Sequence, residues 1–91
     1  MRLRGKVALL TAAAGAGIGQ ATARAMAREG ASVVLTDMHE ERAKMVADEI
    51  SREYNIKTIG LKCDVTDRVE VARAAETVLD VFGRIDILFN N

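Results

Sequence analysis

The feature that most constrains this chain is a run of small residues at positions 11–19, between an apolar segment and an alanine-rich one. Val7–Leu10 is the short, continuous apolar run typical of a strand buried on both faces. Residues 18–29 carry apolar side chains at helical spacing. A glycine-rich turn in this position lets a phosphate approach backbone N–H groups at the positive end of a helix dipole. The turn therefore predicts a phosphate-binding site.

Strands and helices alternate along the whole chain. Strands are predicted at 6–11, 32–37, 57–63 and 85–89. Helices are predicted at 18–29 and 40–54, and Gly30 is expected to end the first of them. A third helix is predicted from a cap at Thr66 or Asp67 to Gly83. Such alternation with apolar strands indicates a parallel sheet, and right-handed crossovers make it doubly wound. We predict a Rossmann-type α/β fold, β-α-β-α-β-α-β, with strand order 3-2-1-4.

Each helix is expected to turn one apolar stripe toward the sheet. In the first helix the stripe comprises Ile18, Ala21, Ala25 and Met26; in the second, Ala43, Val46, Ala47, Ile50 and Tyr54; in the third, Val69, Ala72, Ala75, Leu79 and Phe82. The third strand alternates in the manner of an outer strand, with Ile59, Leu61 and Cys63 on one side. Glu70 stands near the position that completes a capping box for the third helix.

The predicted strand order leaves the fourth strand at an edge of the sheet. That strand is apolar and carries no feature that would protect an edge. We therefore expect further strands to cover it, so that residues 1–91 form the N-terminal portion of a larger Rossmann domain.

Asp37 ends the second predicted strand, 18 residues after Gly19. A carboxylate there can accept hydrogen bonds from the adenosine ribose, and it would repel the 2′-phosphate of NADP. The nearest cation that could attract this phosphate is Arg42, a turn into the next helix. NAD is therefore favoured over NADP. The alternative is that Asp37 only caps that helix.

Two weaker signals follow. Asp64 and Val65 end the third strand, where an aspartate could accept from an adenine amino group or simply belong to a turn. His39, the only histidine, is expected at the surface, and no cluster of cysteine and histidine predicts a metal site.

Composition restricts the partners and the setting. Lysine and arginine balance aspartate and glutamate, 13 against 13, which does not favour nucleic acid or an anionic membrane surface. No apolar run approaches the roughly 20 residues that span a bilayer, and no signal peptide is recognised. The one cysteine, Cys63, cannot form an internal disulfide and is expected in the core, so a reducing, cytoplasmic location is predicted.

The chain resembles the classical short-chain dehydrogenase/reductase family along its entire length. The matching segments are 5–11, 17–23, Asp37, 63–67 and 82–91. The resemblance implies NAD(P)-linked oxidation of an alcohol or reduction of a ketone, and a homo-oligomer at full length. It also implies cofactor contacts from Asp64 to adenine, from the Val65 backbone, and from Asn91 near the adenosine ribose.

Two departures from the family pattern qualify this expectation. Ala12 replaces the usual first glycine and the turn is one residue longer, which leaves the phosphate-contacting amides open among Ala13, Ala14, Gly15 and Ala16. In relatives, the catalytic serine, tyrosine and lysine lie beyond the position of Asn91. No catalytic residue is therefore assigned, and the 91 residues alone are expected to lack dehydrogenase activity.

The cofactor-binding residues predicted from turn and resemblance together are Ala13, Gly15, Gly17, Ile18, Gly19, Asp37, Asp64, Val65 and Asn91. Two alternatives to an NAD-dependent enzyme stay open. One is an S-adenosylmethionine-dependent methyltransferase, which also uses a glycine-rich first turn and an acidic residue after the second strand. The other is a non-catalytic nucleotide-binding fragment.

Overall fold

The computed structural model describes residues 1–11, 13–15 and 17–90. Its elements are β1 (Val7–Leu10), α1 (Ile18–Arg28), β2 (Ser32–Asp37), α2 (Glu40–Tyr54), β3 (Thr58–Lys62), α3 (Arg68–Phe82) and β4 (Ile87–Phe89). All pairings are parallel and the strand order is β3-β2-β1-β4. The predicted element order and strand order are confirmed, and the predicted bounds hold to within two residues.

Strand side chains alternate between two cores, one on each face of the sheet. Ala8 and Leu10 of β1 pack with the buried residues of α1 and α2, whereas Val7 and Leu9 pack with Val78 of α3. The first two crossovers run in one direction across the sheet and the third returns past β1, so right-handed connections place α3 on the opposite face. This reversal at β1 creates the switch point at which open α/β sheets bind ligands.

The predicted buried face of α2 is confirmed, with Ala43, Val46, Ala47 and Ile50 buried and Tyr54 packed against them. The prediction for α1 is wrong in part. The buried residues of this helix are Gly19, Ala23 and Ala27, whereas Ile18 is 73% exposed and Ala21 is exposed. Met26 does pack against the core, and Ala25 is half-buried. An alanine-rich helix offers small apolar residues on several sides, and the sheet takes the side with the smallest ones, where the backbones approach most closely.

The predicted stripe of α3 is also wrong in part. The buried residues are Ala74 and Val78, with Ala75 and Phe82 half-buried. Val69, Ala72 and Leu79 are exposed. The helix is apolar on more than one side, so its periodicity did not indicate which side meets the sheet.

The N-cap residue of α3 is Asp67, whose carboxylate accepts from the N–H groups of Val69 and Glu70. The capping box is not formed, because Glu70 Oε1 accepts from the N–H of Asp64, at 3.2 Å, rather than from the N–H of the cap residue. Gly83 ends the helix, as predicted. Cys63 is buried, also as predicted.

Candidate functional site

The loops that follow the four strands meet at one edge of the sheet, because all the strands run in the same direction. Four residues from these strand ends line one cavity of about 140 Å³ beside α3: Thr11 after β1, Thr36 in β2, Cys63 after β3 and Asn90 after β4. The predicted turn and Asp37 also lie at this carboxyl edge. The structure thus brings together segments that are far apart in the sequence.

The first part of the turn is attached to the end of β2. The N–H of Ala13 donates to the Thr36 carbonyl oxygen at 2.9 Å, and the N–H of Ala14 donates to Asp37 Oδ2 at 3.2 Å. Both alanines are buried. Of the amides left open by the sequence, those of Ala13 and Ala14 are thus already engaged by protein acceptors. Gly15 is half-buried, and among the described residues, apart from its chain neighbours, no heavy atom lies within 4 Å of where its Cβ would stand.

Helix α1 begins at Ile18, with Gly17 as its N-cap residue at a φ of 148°, a conformation that favours glycine. The N–H of Ala21 donates to the Gly17 carbonyl oxygen at 3.0 Å and is the first to bond within the helix. The N–H groups of Ile18, Gly19 and Gln20 therefore have no intrahelical acceptor, as at every helix start. Gly17 and Ile18 are exposed. This helix end can accept an anion.

Gln20 is a site residue that the sequence analysis did not identify. Its side-chain amide donates to the carbonyl oxygens of Ala14, at 3.1 Å, and of Gly15, at 3.3 Å. A half-buried amide one turn inside a helix carries no distinctive pattern, so only its position directly after Gly19 could have drawn attention to it.

The Asp37 carboxylate is buried, with only 6% of the residue exposed. Besides Ala14, it accepts at Oδ1 from the N–H of His39, at 3.0 Å, and from Arg42 Nη2, at 3.1 Å. Burial raises the pKa of Asp37, but the bonds from His39, Arg42 and Ala14 outweigh this effect, and its pKa lies below the ordinary value. The N-cap residue of α2 is His39 rather than Asp37, and it makes no side-chain capping bond.

Asp64 and Val65 follow β3 at the same edge. Asp64 is half-buried, and its Oδ1 accepts from the Thr66 hydroxyl at 2.7 Å and from the Thr66 N–H at 2.9 Å. These bonds from Thr66 lower the pKa of Asp64. Within the described residues, no donor is bonded to its Oδ2, which leaves that oxygen able to accept. Val65 is 49% exposed.

Asn91 lies outside the described residues, as do Ala12 and Ala16 in the turn. Tyr54 ends α2 and lines a cavity with Met1 and Arg4, at the amino edge of the sheet and away from the turn. In the described part of the chain, no group of three or more His, Cys, Asp or Glu could hold a metal ion. No helix in that part is long and apolar enough to cross a membrane.

A family model described as short chain dehydrogenase matches residues 6–91. The chain belongs to the short-chain dehydrogenase family. This membership confirms the resemblance carried by the sequence motifs. It gives no support to the methyltransferase alternative.

Relatives of the chain are named as reductases and dehydrogenases. The chain is 44% identical over 89 residues, 98% of its length, to "(5R,7aS)-5-hydroxy-7a-methyl-1-oxo-2,3,5,6,7,7a-hexahydro-1H-indene-carboxyl-CoA reductase" of Mycobacterium tuberculosis, of which it covers 34%. It is similar to the crystal structure of a hydroxysteroid dehydrogenase from Escherichia coli, with a TM-score of 0.92, 39% identity, and coverage of 99% of this chain and 37% of that one. It is also similar to an NAD⁺-bound xylitol dehydrogenase, with a TM-score of 0.92, 38% identity, and coverage of 100% and 34%. The chain therefore spans about a third of the length of these relatives.

A nicotinamide dinucleotide is the cofactor that this family implies, and two features of the site fit it. The start of α1 offers N–H groups that have no intrahelical acceptor, and among the described residues no side chain stands within 4 Å of the Cβ positions of Gly15 and Gly17. Asp37 offers an ionised carboxylate at the end of the neighbouring strand. A carboxylate has about four acceptor positions, and the described residues use three of them here.

Proposed function

We propose that the chain is the dinucleotide-binding part of an NAD-dependent oxidoreductase that converts an alcohol to a ketone or the reverse. The observation that carries the proposal is the ionised, buried carboxylate of Asp37, bonded directly to the glycine-rich turn before α1. A pyrophosphate at the helix start and a ribose at Asp37 would be two parts of one ligand. The bound cofactor would supply the hydride acceptor or donor.

Individual residues would divide the work of binding. Gly17, Ile18 and Gly19 would present N–H groups to the phosphates, while Gly15 would keep the approach open. Ala13 would line the turn, because its own N–H is engaged by Thr36. Asp64 would accept from the adenine amino group through Oδ2, beside the Val65 backbone. Asn91 would contact the adenosine ribose.

The preference for NAD over NADP rests on charge. A 2′-phosphate on the ribose would meet the Asp37 carboxylate, which is ionised at neutral pH. Arg42 is the nearest cation, but its guanidinium is bonded to that same carboxylate at 3.1 Å. A phosphate would have to compete with Asp37 for it, so NAD is favoured.

Parallel titrations of the purified protein with NAD, NADP and S-adenosylmethionine test the proposal. We expect NAD to bind most tightly, and Gly15→Val to weaken its binding without lowering the unfolding temperature, because the position is open. Ala21→Leu, which adds bulk at an exposed position of α1, is the matched control. Binding of S-adenosylmethionine alone would refute the proposal, and tighter binding of NADP would refute the stated preference.

The protein's setting follows from the same proposal. A single buried cysteine and a family of dinucleotide-dependent enzymes fit a reducing, cytoplasmic location. A small alcohol or ketone would be the substrate, and the full-length enzyme would be a homo-oligomer. The 91 residues by themselves would bind cofactor without turnover.

A further inference from the structure

We infer that Gln20, oriented by Arg24, is a positioning residue for the phosphate-binding turn, an inference that rests on the proposed dinucleotide function. The Gln20 amide donates to two successive turn carbonyls, those of Ala14 at 3.1 Å and Gly15 at 3.3 Å. Drawing these carbonyl oxygens toward the side of Gln20 limits rotation of the peptide planes that carry them.

The turn is held from two sides at one point. Asp37 Oδ2 accepts from the N–H of Ala14, while Gln20 donates to the carbonyl of the same residue. The backbone N–H and the carbonyl of Ala14 are thus both fixed, the first by Asp37 and the second by Gln20. An additional turn residue relative to the family pattern would otherwise increase the freedom of this segment, and ordering it on binding would cost conformational entropy. Anchoring it before the cofactor arrives reduces that cost.

Arg24 determines which way the Gln20 amide points. Its Nε donates to Gln20 Oε1 at 3.2 Å. Because a guanidinium can only donate, the amide oxygen must face Arg24, and the amide NH₂ must then face the turn carbonyls, which can only accept. Each hydrogen bond from Arg24 to Gln20 and from Gln20 to the turn therefore joins a donor to an acceptor.

Arg24 is in turn held by α2. Its Nη1 lies 3.0 Å from Glu53 Oε2 and its Nη2 lies 3.1 Å from Glu49 Oε2, so the guanidinium is held by carboxylates one turn apart. With Gln20, these bonds form a continuous connection from α2 across α1 to the turn. Two carboxylates and one amide fix the plane of a guanidinium far better than a single surface ion pair does.

Binding measurements on the purified protein test the role of Gln20. Gln20→Met keeps the length and helix propensity of the side chain but removes both donors. We expect it to weaken NAD binding roughly five- to thirty-fold, the loss that corresponds to ordering the backbone of about one additional residue on binding, and to leave the binding of adenosine, which has no phosphate, unchanged. Arg28→Met, in the last turn of the same helix, is the control and should bind both ligands as the wild type does.

A double-mutant cycle distinguishes orientation of Gln20 from mere helix packing. Arg24→Met should weaken NAD binding when Gln20 is present and have no further effect in the Gln20→Met background. A purely structural Arg24, acting through α2, would cause the same loss in both backgrounds and would overturn the inference. If Gln20→Met does not fold, Gln20→Asn, which is too short to reach both carbonyls, serves in its place.

The outcomes separate the two proposals. A wild-type protein that binds neither NAD nor NADP would reject the dinucleotide function together with this inference. A wild-type protein that binds NAD and a Gln20→Met variant that binds it equally well would reject only the positioning role. A variant that loses NAD and adenosine to the same extent would also reject it, because that loss would not be specific to the phosphate turn.

Discussion

Replacement of Asp37 is the most informative perturbation of this site, because one buried carboxylate serves three protein donors. In Asp37→Ala, the N–H of Ala14 would lose its acceptor in a place where Ala14 is only 2% exposed. An unsatisfied buried donor of this kind costs about 1–3 kcal/mol. The Arg42 side chain is 45% exposed, so its ion pair adds less than about 1 kcal/mol after solvent screening. We expect a total loss of about 2–3 kcal/mol in the free energy of unfolding.

Asp37→Asn should be almost as destabilising as Asp37→Ala, although it has nearly the same shape. Its single oxygen can face either Ala14 or the pair of donors formed by His39 and Arg42, and its NH₂ then opposes an N–H or a guanidinium. Urea unfolding followed by circular dichroism at pH 7 measures the loss, with Asp48→Asn, at an exposed position of α2, as control. If the free energy of unfolding of Asp37→Asn lay within about 0.5 kcal/mol of the wild-type value, the role of Asp37 in anchoring the turn would be refuted.

The lowered pKa of Asp37 determines how the free energy of unfolding depends on pH. The pKa of Asp37 is lower in the folded chain than its ordinary value of 3.8, so its contribution to stability is present above pH 3.8 and is lost as the pH falls through the folded pKa. The difference in the free energy of unfolding between the wild type and Asp37→Asn should therefore shrink below pH 3.8.

In ligand titrations, Asp37→Ala should weaken NAD binding and narrow its advantage over NADP. An unchanged ratio of the affinities for NAD and NADP would mean that Asp37 only stabilises the protein and does not contact the cofactor.

Two further predictions concern the stability of elements near the site, strand β3 and helix α3. A Cβ at Gly60 of β3 would collide with the Ala43 carbonyl group and stand 2.7 Å from the Lys44 nitrogen, all backbone of α2; Gly60→Ala should therefore cost about 1–3 kcal/mol. Thermal unfolding measures that cost, and an unchanged unfolding temperature would contradict so close an approach of α2 to the sheet. Asp67→Ala should cost about 1 kcal/mol through the lost N-cap of α3, and recovery in Asp67→Ser would assign the loss to capping, whereas no recovery would argue against it.

Much of the fold could be predicted because its determinants are local or follow from chain direction. A short apolar run such as Val7–Leu10 is typical of a buried strand, and helices between successive strands favour parallel pairing. Right-handed crossovers then leave few strand orders, of which 3-2-1-4 is the one observed. The glycine-rich turn could be located for the same reason, since a strand before it and a helix after it are read from adjacent residues.

The buried faces of α1 and α3 could not be predicted in this way. Periodicity shows that a helix is apolar along a stripe, but α1 has small residues on several sides, and Ile18 turned out to be exposed while Gly19 is buried. The choice depends on how closely the helix backbone can approach the sheet. That distance is a property of two packed elements and is absent from either segment alone.

What the sequence by itself determined is the order of elements, the position of the turn and the presence of an acidic residue at the end of β2. Only the tertiary structure decided how the turn is held, because the partners of Ala14 belong to two different elements: Asp37 of β2 lies 23 residues later in the sequence, and Gln20 of α1 lies six residues later. Local patterns record which residue types are present. The direction of a hydrogen bond between separate elements depends on the packed arrangement of α1, α2 and the sheet.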